Sequence, residues 1–529
     1  MSALDYKSAA IVAVVYVCSL LVFYAVYLEL FTRKRVLKSL PSAGFGKGFF
    51  NWSRASVRQV LVAPETVEQG YKQVGIFYKS KHSYMVPHSS FRPHVMLPQQ
   101  HIRWLSRQPE SILNPEVVRS ERQGINFFPI KSHPKTVLMA AHKVITEAIN
   151  QKLDVVQLQM YDGIRQAVDT GLGTDTEGVW KEVPLVDTLS TVLDSAVSRA
   201  FFGANLSRDG SFLHILRLFI VGGGVLTELI GQLPVGFLRL LVAVPFNLFT
   251  RATKEICAAY YLRPEVYKRI AQIDSSSDSV GEGYDFITEC IISIRKLKFS
   301  LGTDEVTFVT DLLMFLALAG VVSTRTTTVN TFMDILGPQG TRQGTYLTLR
   351  QEAESILKSE TDWASADALK AMVNIDSCMR ESARKNPLQT RGLMRQVMPK
   401  DGVTLPDGAH VPQGTWLGIP VEAIHRDENI YPDAREFDAL RFARMRVEGQ
   451  YNKSLDASEP SDTYMFFSYG RSACPGRWFA TRVMKLLIAY VTVHYDMKPL
   501  PEDAERYSVG DTKFHHSTVK MALRRRKLD

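Results

Sequence analysis

Cysteine is scarce in this chain. Cys18, Cys257, Cys290, Cys378 and Cys474 are widely scattered over 529 residues, and their number is odd. That excludes a disulfide framework and paired zinc-type spacings, and it points to a reducing compartment. Gly/Ser-rich linkers, internal repeats and long low-complexity tracts are also lacking, so a single large domain is expected despite the length. With 45% hydrophobic residues, that domain has enough apolar material for a large core. No glycine fingerprint for a nicotinamide or flavin appears. The net charge of +9 is spread along the chain, apart from clusters at Arg33-Lys34-Arg35 and Arg524-Arg525-Arg526-Lys527. Without a helix-turn-helix signature or an aromatic-interleaved basic patch, the charge does not suit nucleic acid. An anionic membrane surface and an acidic protein partner account for it better.

Charge is absent altogether from residues 9–28, twenty apolar-dominated positions that suffice to span a bilayer. A cleaved signal peptide is the competing reading. The run is long for one, no clean small-x-small site follows it, and Arg33-Lys34-Arg35 with Lys38 comes next. A retained anchor with its positive flank in the cytosol is therefore expected. The resulting division is a tail at 1–8, a transmembrane anchor at 9–28, a basic juxtamembrane linker at 29–40 and a catalytic domain at 41–529. The sequons at Asn51, Asn205 and Asn452 then face the cytosol and stay unglycosylated.

Short apolar runs at 76–78, 84–86 and 95–97 read as strands. Helical periodicity covers 136–202, with a turn-rich break around 171–177. Residues 212–249 are strongly apolar, with Gly222-Gly223-Gly224 and Pro234 as breaks and only Arg217, Glu228 and Arg239 charged. They read as a buried helical pair that can also serve as a mobile, membrane-dipping lid. Residues 274–279 read as a solvated loop. A long helix is expected from Asp304 to Leu336, stopped by Gly337-Pro338, then helices over 347–358 and 366–385. Beyond Pro387, short strands alternate with Pro/Gly turns. The fold class is mainly α with a small β subdomain.

The most informative stretch is Phe466-Phe467-Ser468-Tyr469-Gly470-Arg471-Ser472-Ala473-Cys474-Pro475-Gly476-Arg477. It places one cysteine in a glycine-bounded loop between arginines, immediately before an apolar helix at 478–491. Neighbouring cations and a helix N-terminus lower a thiol's pKa, and a metal removes the proton outright. A thiolate so placed is a good axial ligand for haem iron.

This loop, with its Phe-x-x-Gly-x-x-x-Cys-x-Gly spacing and the following Arg477-Trp478-Phe479-Ala480, resembles the haem-binding loop of the cytochrome P-450 family. The likeness covers the soluble part from about 40 to 528. It includes Glu381-x-x-Arg384, then Phe437-Asp438-Ala439-Leu440-Arg441-Phe442, then the cysteine loop. Trp180-Lys181-Glu182-Val183, Ser198 to Gly203, His425-Arg426-Asp427 and Tyr431-Pro432-Asp433 are most similar to fungal membrane-bound members that oxidise terpenoid and indole-terpenoid metabolites. The resemblance implies a cytochrome P-450 fold, haem bound through Cys474 with Phe467 and Gly470 shaping the loop, and a buried charge network of Glu381, Arg384 and Arg441. It implies that Ala319 and Gly320 open a groove over the haem and that Ser323, followed by Thr324, supplies the proton-relay hydroxyl.

Two departures stand out. Ser472 occupies a position that usually carries a His or Arg for a haem propionate, which leaves His142, Lys143, Arg391 and Arg395 as candidates for that charge. Val322 stands where the family usually has an acid, and it cannot carry a proton.

The reading implied is a haem–thiolate monooxygenase on the endoplasmic reticulum membrane. It takes electrons from NADPH through a separate reductase and inserts one oxygen atom into a lipophilic secondary metabolite. Arg471, Arg477, Arg482 and Lys485 are the expected reductase contacts. The missing acid keeps oxidative coupling, desaturation or rearrangement of a polyketide or alkaloid open as an alternative. A haem carrier or gas sensor is the non-enzyme alternative, disfavoured because no output domain follows residue 528.

Overall fold

The computed structural model describes residues 23–527 apart from 25, 34–36, 49, 79–81, 174–177, 235, 276–283, 297–300, 450–453, 503, 505 and 517. Most of the span 9–28 therefore lies outside the described residues, as do Cys18, Asn452 and most of the 274–279 loop.

The organising element is the helix Glu305–Leu336. Asp304 caps it by accepting the Thr307 N–H at 2.8 Å, and Gly337 with Pro338 ends it. The helix is apolar on almost every side, as expected for one running through a core rather than along a surface. Helices Leu185–Arg208, Val373–Lys385 and Arg477–His494 pack around it, and Leu153–Leu172 packs on the first and last of these, to make the main hydrophobic core.

A five-stranded sheet lies to one side, in the order Tyr84–Val86, His94–Met96, Trp416–Ile419, Gly392–Val397, Leu113–Asn114. Only the pairing of His94–Met96 with Trp416–Ile419 is parallel. A register shift between Gly392 and Arg395 re-aims the Arg395 end of its strand toward the cysteine loop. A three-stranded sheet joins Lys181–Pro184, Lys520–Arg525 and Tyr495–Met497, and a hairpin pairs Arg506–Val509 with Thr512–His515.

The expected strand at 76–78 is instead the end of the helix Asn51–Tyr78, because three apolar residues carry too little periodicity to separate the two forms. The Gly222–Gly224 triplet does not break its helix. Gly210–Gln232 runs through it and ends before Pro234, ahead of the helix Phe237–Cys257. The glycines serve packing. A Cβ on Gly222 would come within 2.9 Å of Phe249, and one on Gly223 within 3.3 Å of Leu318.

The 29–40 segment is not a free linker throughout. Glu29 is buried and accepts the Ser53 N–H and hydroxyl, both at 2.7 Å, while the Trp52 indole donates to the Thr32 hydroxyl at 2.6 Å.

Candidate functional site

The cysteine loop is built by its own backbone. Cys474 donates its N–H to the Phe467 carbonyl at 2.9 Å, and Ala473 donates to the Gly470 carbonyl at 3.0 Å. Gly470 takes a φ of +61°, and a Cβ there would crowd Ser106 at 3.3 Å, so glycine serves both the turn and the close approach. The Phe466 and Phe467 rings meet edge to face at 4.8 Å. Beyond the cysteine the chain enters the helix Arg477–His494. Arg477 stacks on Trp478 at 3.5 Å and donates to the Cys474 carbonyl at 3.0 Å.

The Cys474 side chain reaches open space, yet protein atoms crowd it on most sides. Cys474 is thus neither sealed in the core, as the other described cysteines are, nor freely solvated. Burial pushes its thiol up, against a Gly476 N–H bond to the sulphur and the Arg477 charge. Burial outweighs them, and a bound metal has to displace the proton. The other described cysteines, Cys257, Cys290 and Cys378, are buried, and burial raises all three, Cys257 to about 12.

The central helix carries an open stripe of its own. Within that buried rod, Phe315, Leu318, Ala319, Val322, Ser323 and Thr326 are not fully covered, and Ala319 is exposed. Their spacing puts them along one helix face. Phe201 ties this level of the helix to the cysteine-loop helix. A Cβ on Gly320 would lie 3.6 Å from Phe201, whose ring packs 5.2 Å from Phe479. Ser323 lies on the open face, its hydroxyl donating weakly to the Ala319 carbonyl at 3.3 Å. Thr324 does not share that face. It is buried and donates to the Gly320 carbonyl at 2.7 Å, as back-bonded threonines do.

Of the four cations considered for a carboxylate partner, the structure singles out Arg395. It is 5% exposed, donates to the Ser472 hydroxyl at 2.6 Å and to the Met394 carbonyl at 3.3 Å. Among the described residues no carboxylate stands within ion-pair distance of it. Burial pushes its guanidinium down to about 10, and the Arg119 charge adds to that. Arg391, by contrast, is spent on Asp511 at 3.2 Å and on His94 and Gln59. Lys143 pairs with Glu147, and His142 is exposed. An open thiol in a loop held by a buried cation with surplus charge fits haem, which offers an iron for the sulphur and carboxylates for the arginine.

The charge network is fully buried. Arg384 grips Glu381 through two bonds of 2.7 and 2.8 Å, and Arg441 reaches Glu381 at 3.2 Å. Arg441 also holds the Pro432 and Asp433 carbonyls, while Arg384 lies 5.0 Å over Tyr431 and donates to the His425 carbonyl. His425 closes the circuit. Its Nδ1 sits 3.1 Å from the Arg384 carbonyl, and its Nε2 accepts the Met465 N–H at 2.9 Å, on the irregular segment leading into the cysteine loop. Burial and the Arg384 charge push His425 down to about 3, so it is neutral, with the proton on Nδ1.

Sequence reading missed this histidine link. It also missed Arg380, which lies 3.9 Å over Tyr464 and holds the Asp456 and Glu459 carbonyls. Asp311 was missed too. It accepts the N–H groups of Lys131 and Ser132 at 2.9 and 2.8 Å and pairs with Lys254 at 2.5 Å, fixing the loop before residue 133 to the central helix. In each case the partner lies far off in sequence, and no local spacing announces it.

On the surface above the loop, Arg103, Arg107, Arg471 and Arg477 surround a cleft of about 520 Å³ that also touches Glu459 and Tyr469. Lys485, expected there, is instead buried against Asp376 at 2.8 Å. Arg482 is bound to Asp154 and Gln157.

A sequence model of the cytochrome P-450 family matches residues 185–521. The chain is 46% identical over 515 residues to the cytochrome P-450 monooxygenase polB of Polytolypa hystricis, covering 95% of this chain and 96% of that protein. It is 30% identical to efuH of Hormonema carpetanum over 486 residues, 90% of this chain and 84% of that one. With fsoD of Humicola fuscoatra it shares 30% over 523 residues and 93% of each chain. Both are cytochrome P-450 monooxygenases. The chain belongs to the cytochrome P-450 family, among fungal monooxygenases of secondary metabolism. It is an oxidoreductase of a family that uses haem and draws on NADPH through a reductase.

Proposed function

We propose that Cys474 is the axial thiolate of a bound haem and that the enzyme inserts one oxygen atom into a lipophilic secondary metabolite, of the terpenoid, indole-terpenoid or meroterpenoid kind. The carrying observation is the open Cys474 thiol in a loop whose Ser472 is held by the buried Arg395, a cation with no carboxylate in ion-pair distance among the described residues. When bound, a thiolate-ligated haem supplies oxygen activation with electron donation from sulphur. The Gly476 N–H and the Arg477 charge moderate the sulphur's negative charge, and Arg395, steadied by Ser472, receives a propionate. Glu381, Arg384 and Arg441, with His425, hold the loop in place and touch no substrate.

On the oxidation side, Phe315, Leu318, Ala319 and Val322 give an apolar wall that excludes water and suits a multi-ring substrate. Ser323 is the one hydroxyl of the 323–324 pair on that wall, and in our reading it moves protons at its Oγ. Val322 also faces the wall without any proton to give, which favours a second reading of coupling, desaturation or rearrangement.

The arginine-lined cleft above the loop suits an acidic reductase surface. Residues 9–28 form a single-pass anchor in the endoplasmic reticulum membrane, with the domain 41–529 in the cytosol. Exposed Val221, Val225, Leu240, Leu241, Val244 and Leu248 on the 210–257 helix pair support a face that dips into lipid. Two described helices, Gly210–Gln232 and Glu305–Leu336, are long and apolar enough to cross a membrane. The second is mostly buried in the core and is not read as a span. Reduced carbon-monoxide absorption of the wild type and Cys474→Ser tests the haem–thiolate assignment. Product analysis with a reductase and labelled oxygen separates insertion from coupling.

A further inference from the structure

Glu228 is the one acid in the apolar stretch 212–249. Each carboxylate oxygen accepts one hydrogen bond, from the Gln232 amide at 3.1 Å and from the Thr512 hydroxyl at 2.9 Å. Among the described residues no cation stands within ion-pair distance. The nearest arginine charge, Arg122, is committed to Asp511 at 2.9 Å. The clamp is itself braced. Gln232 accepts the Ser89 hydroxyl at 2.5 Å, and the Gly510 turn packs so closely on Gln232 that a Cβ there would approach to 2.1 Å.

Position along the helix gives Glu228 its setting. Gly224 and Glu228 fall on one flank of Gly210–Gln232 by their four-residue spacing. A Cβ on Gly224 would lie 3.6 Å from Val322, on the open stripe of the central helix. Glu228 is one turn farther along, about 6 Å by helical rise. The hairpin residue Thr512 faces it from the other side. An ionised carboxylate has about four acceptor positions, and two are taken here. Glu228 is only part-buried, and among the described residues no further donor stands within hydrogen-bond distance of its carboxylate. Burial raises its pKa, which marks a charge short of donors.

We infer that Glu228, held by Gln232 and Thr512, is a hydrogen-bond-accepting subsite for a hydroxyl group at one end of an otherwise apolar, ring-shaped substrate. The inference rests on reading the open stripe as the oxidation pocket. It names what fixes the substrate's orientation in that pocket: apolar rings against Val322 and Leu318, and a polar end on Glu228. A site built to accept a substrate hydroxyl discriminates strongly against the analogue that lacks it, because its own polar group is then left short of a partner.

The test uses the full-length, haem-loaded protein in detergent micelles. Haem absorption is titrated with three matched pairs: cyclohexane and cyclohexanol, adamantane and 1-adamantanol, cholestane and cholestanol. In the wild type, at least one alcohol binds tenfold or more tighter than its hydrocarbon. Glu228→Leu abolishes the preference, and Glu228→Gln reduces it several-fold because a neutral acceptor is weaker. Thr512→Val, which leaves the carboxylate but loosens it, weakens the preference less. Equal affinity within every pair, no binding by any alcohol, or a preference that survives Glu228→Leu overturns the subsite. Should Glu228→Leu fail to hold haem, Glu228→Gln decides, and an unchanged preference there overturns it equally. A wild type without the thiolate-type carbon-monoxide band refutes the haem assignment instead, so the two failures are distinguishable.

Discussion

Arg395 donates to the hydroxyl of Ser472 at 2.6 Å, and that bond joins the sheet to the cysteine loop two residues before Cys474. The serine that looks like a missing charge in sequence is in the structure the contact that holds a charge. A buried guanidinium without a carboxylate is costly, so the site is poised for an anion.

Arg395→Leu separates these effects. Removing an uncompensated buried charge leaves the haem-free protein as stable as the wild type or more so, while haem affinity falls at least tenfold. Thermal midpoints with and without haem check this. A haem-free protein destabilised as much as the loaded one would mean that Arg395 is merely a packing element.

Arg441→Leu leaves Glu381 with one charged partner, Arg384, and Glu381→Leu strands two arginines. Each should cost about 3–5 kcal/mol, the range for breaking a buried charge pair. His425→Ala removes only the neutral link to Met465 and should cost less in global stability. Its larger effect should be on haem retention, because the link ends on the cysteine loop. Denaturant midpoints compared with haem content separate the two kinds of variant.

The buried histidines predict acid lability with a definite sign. His425 is pushed down to about 3, and His494 and His515 to about 4, in each case chiefly by burial. A histidine with a depressed folded pKa binds its proton more readily in the unfolded chain. Its stabilisation is complete above the ordinary value near 6.5 and is lost as pH falls toward the folded value. For the fully buried His425 the full effect is on the order of 5 kcal/mol. The unfolding midpoint should be flat above pH about 7 and fall through the window of roughly pH 6.5 to 4. His425→Gln should flatten that fall.

Ser323→Ala should leave the haem spectrum intact, since its hydroxyl bonds only the Ala319 carbonyl at 3.3 Å. If that hydroxyl moves protons, product formation should drop by about 10²–10⁴-fold, the range for a positioned proton donor, with more peroxide released per NADPH. Thr324→Val should change coupling little, because the Thr324 hydroxyl is buried against Gly320. Unchanged coupling in Ser323→Ala would move the coupling or rearrangement reading ahead of simple insertion.

The parts legible in sequence were those carried by local spacing. The Asp304 cap and the Gly337-Pro338 stop defined the central helix, and the cysteine loop announced itself through its glycines. The order of Glu381, Arg384 and Arg441 carried the charge network. Contacts between distant segments were not legible. Nothing near His425 points to Met465, nothing near Arg395 selects it over Arg391, and nothing near Asp311 points to Lys131. The Gly222–Gly224 triplet misled for the same reason. Glycine signals a break locally, but here it lets helices approach Phe249 and Leu318. The thiol's raised pKa was also hidden, because burial is a property of the assembled fold.

The central claim, that Cys474 supplies a thiolate to haem, is tested most directly by the absorption of the reduced, carbon-monoxide-bound protein. The full-length wild type should give the band of a thiolate-ligated haem. Cys474→Ser, purified beside it with its haem content measured separately, should lack that band even where some haem remains bound. A full thiolate-type band in Cys474→Ser, or haem bound by the wild type without that band, would contradict the account.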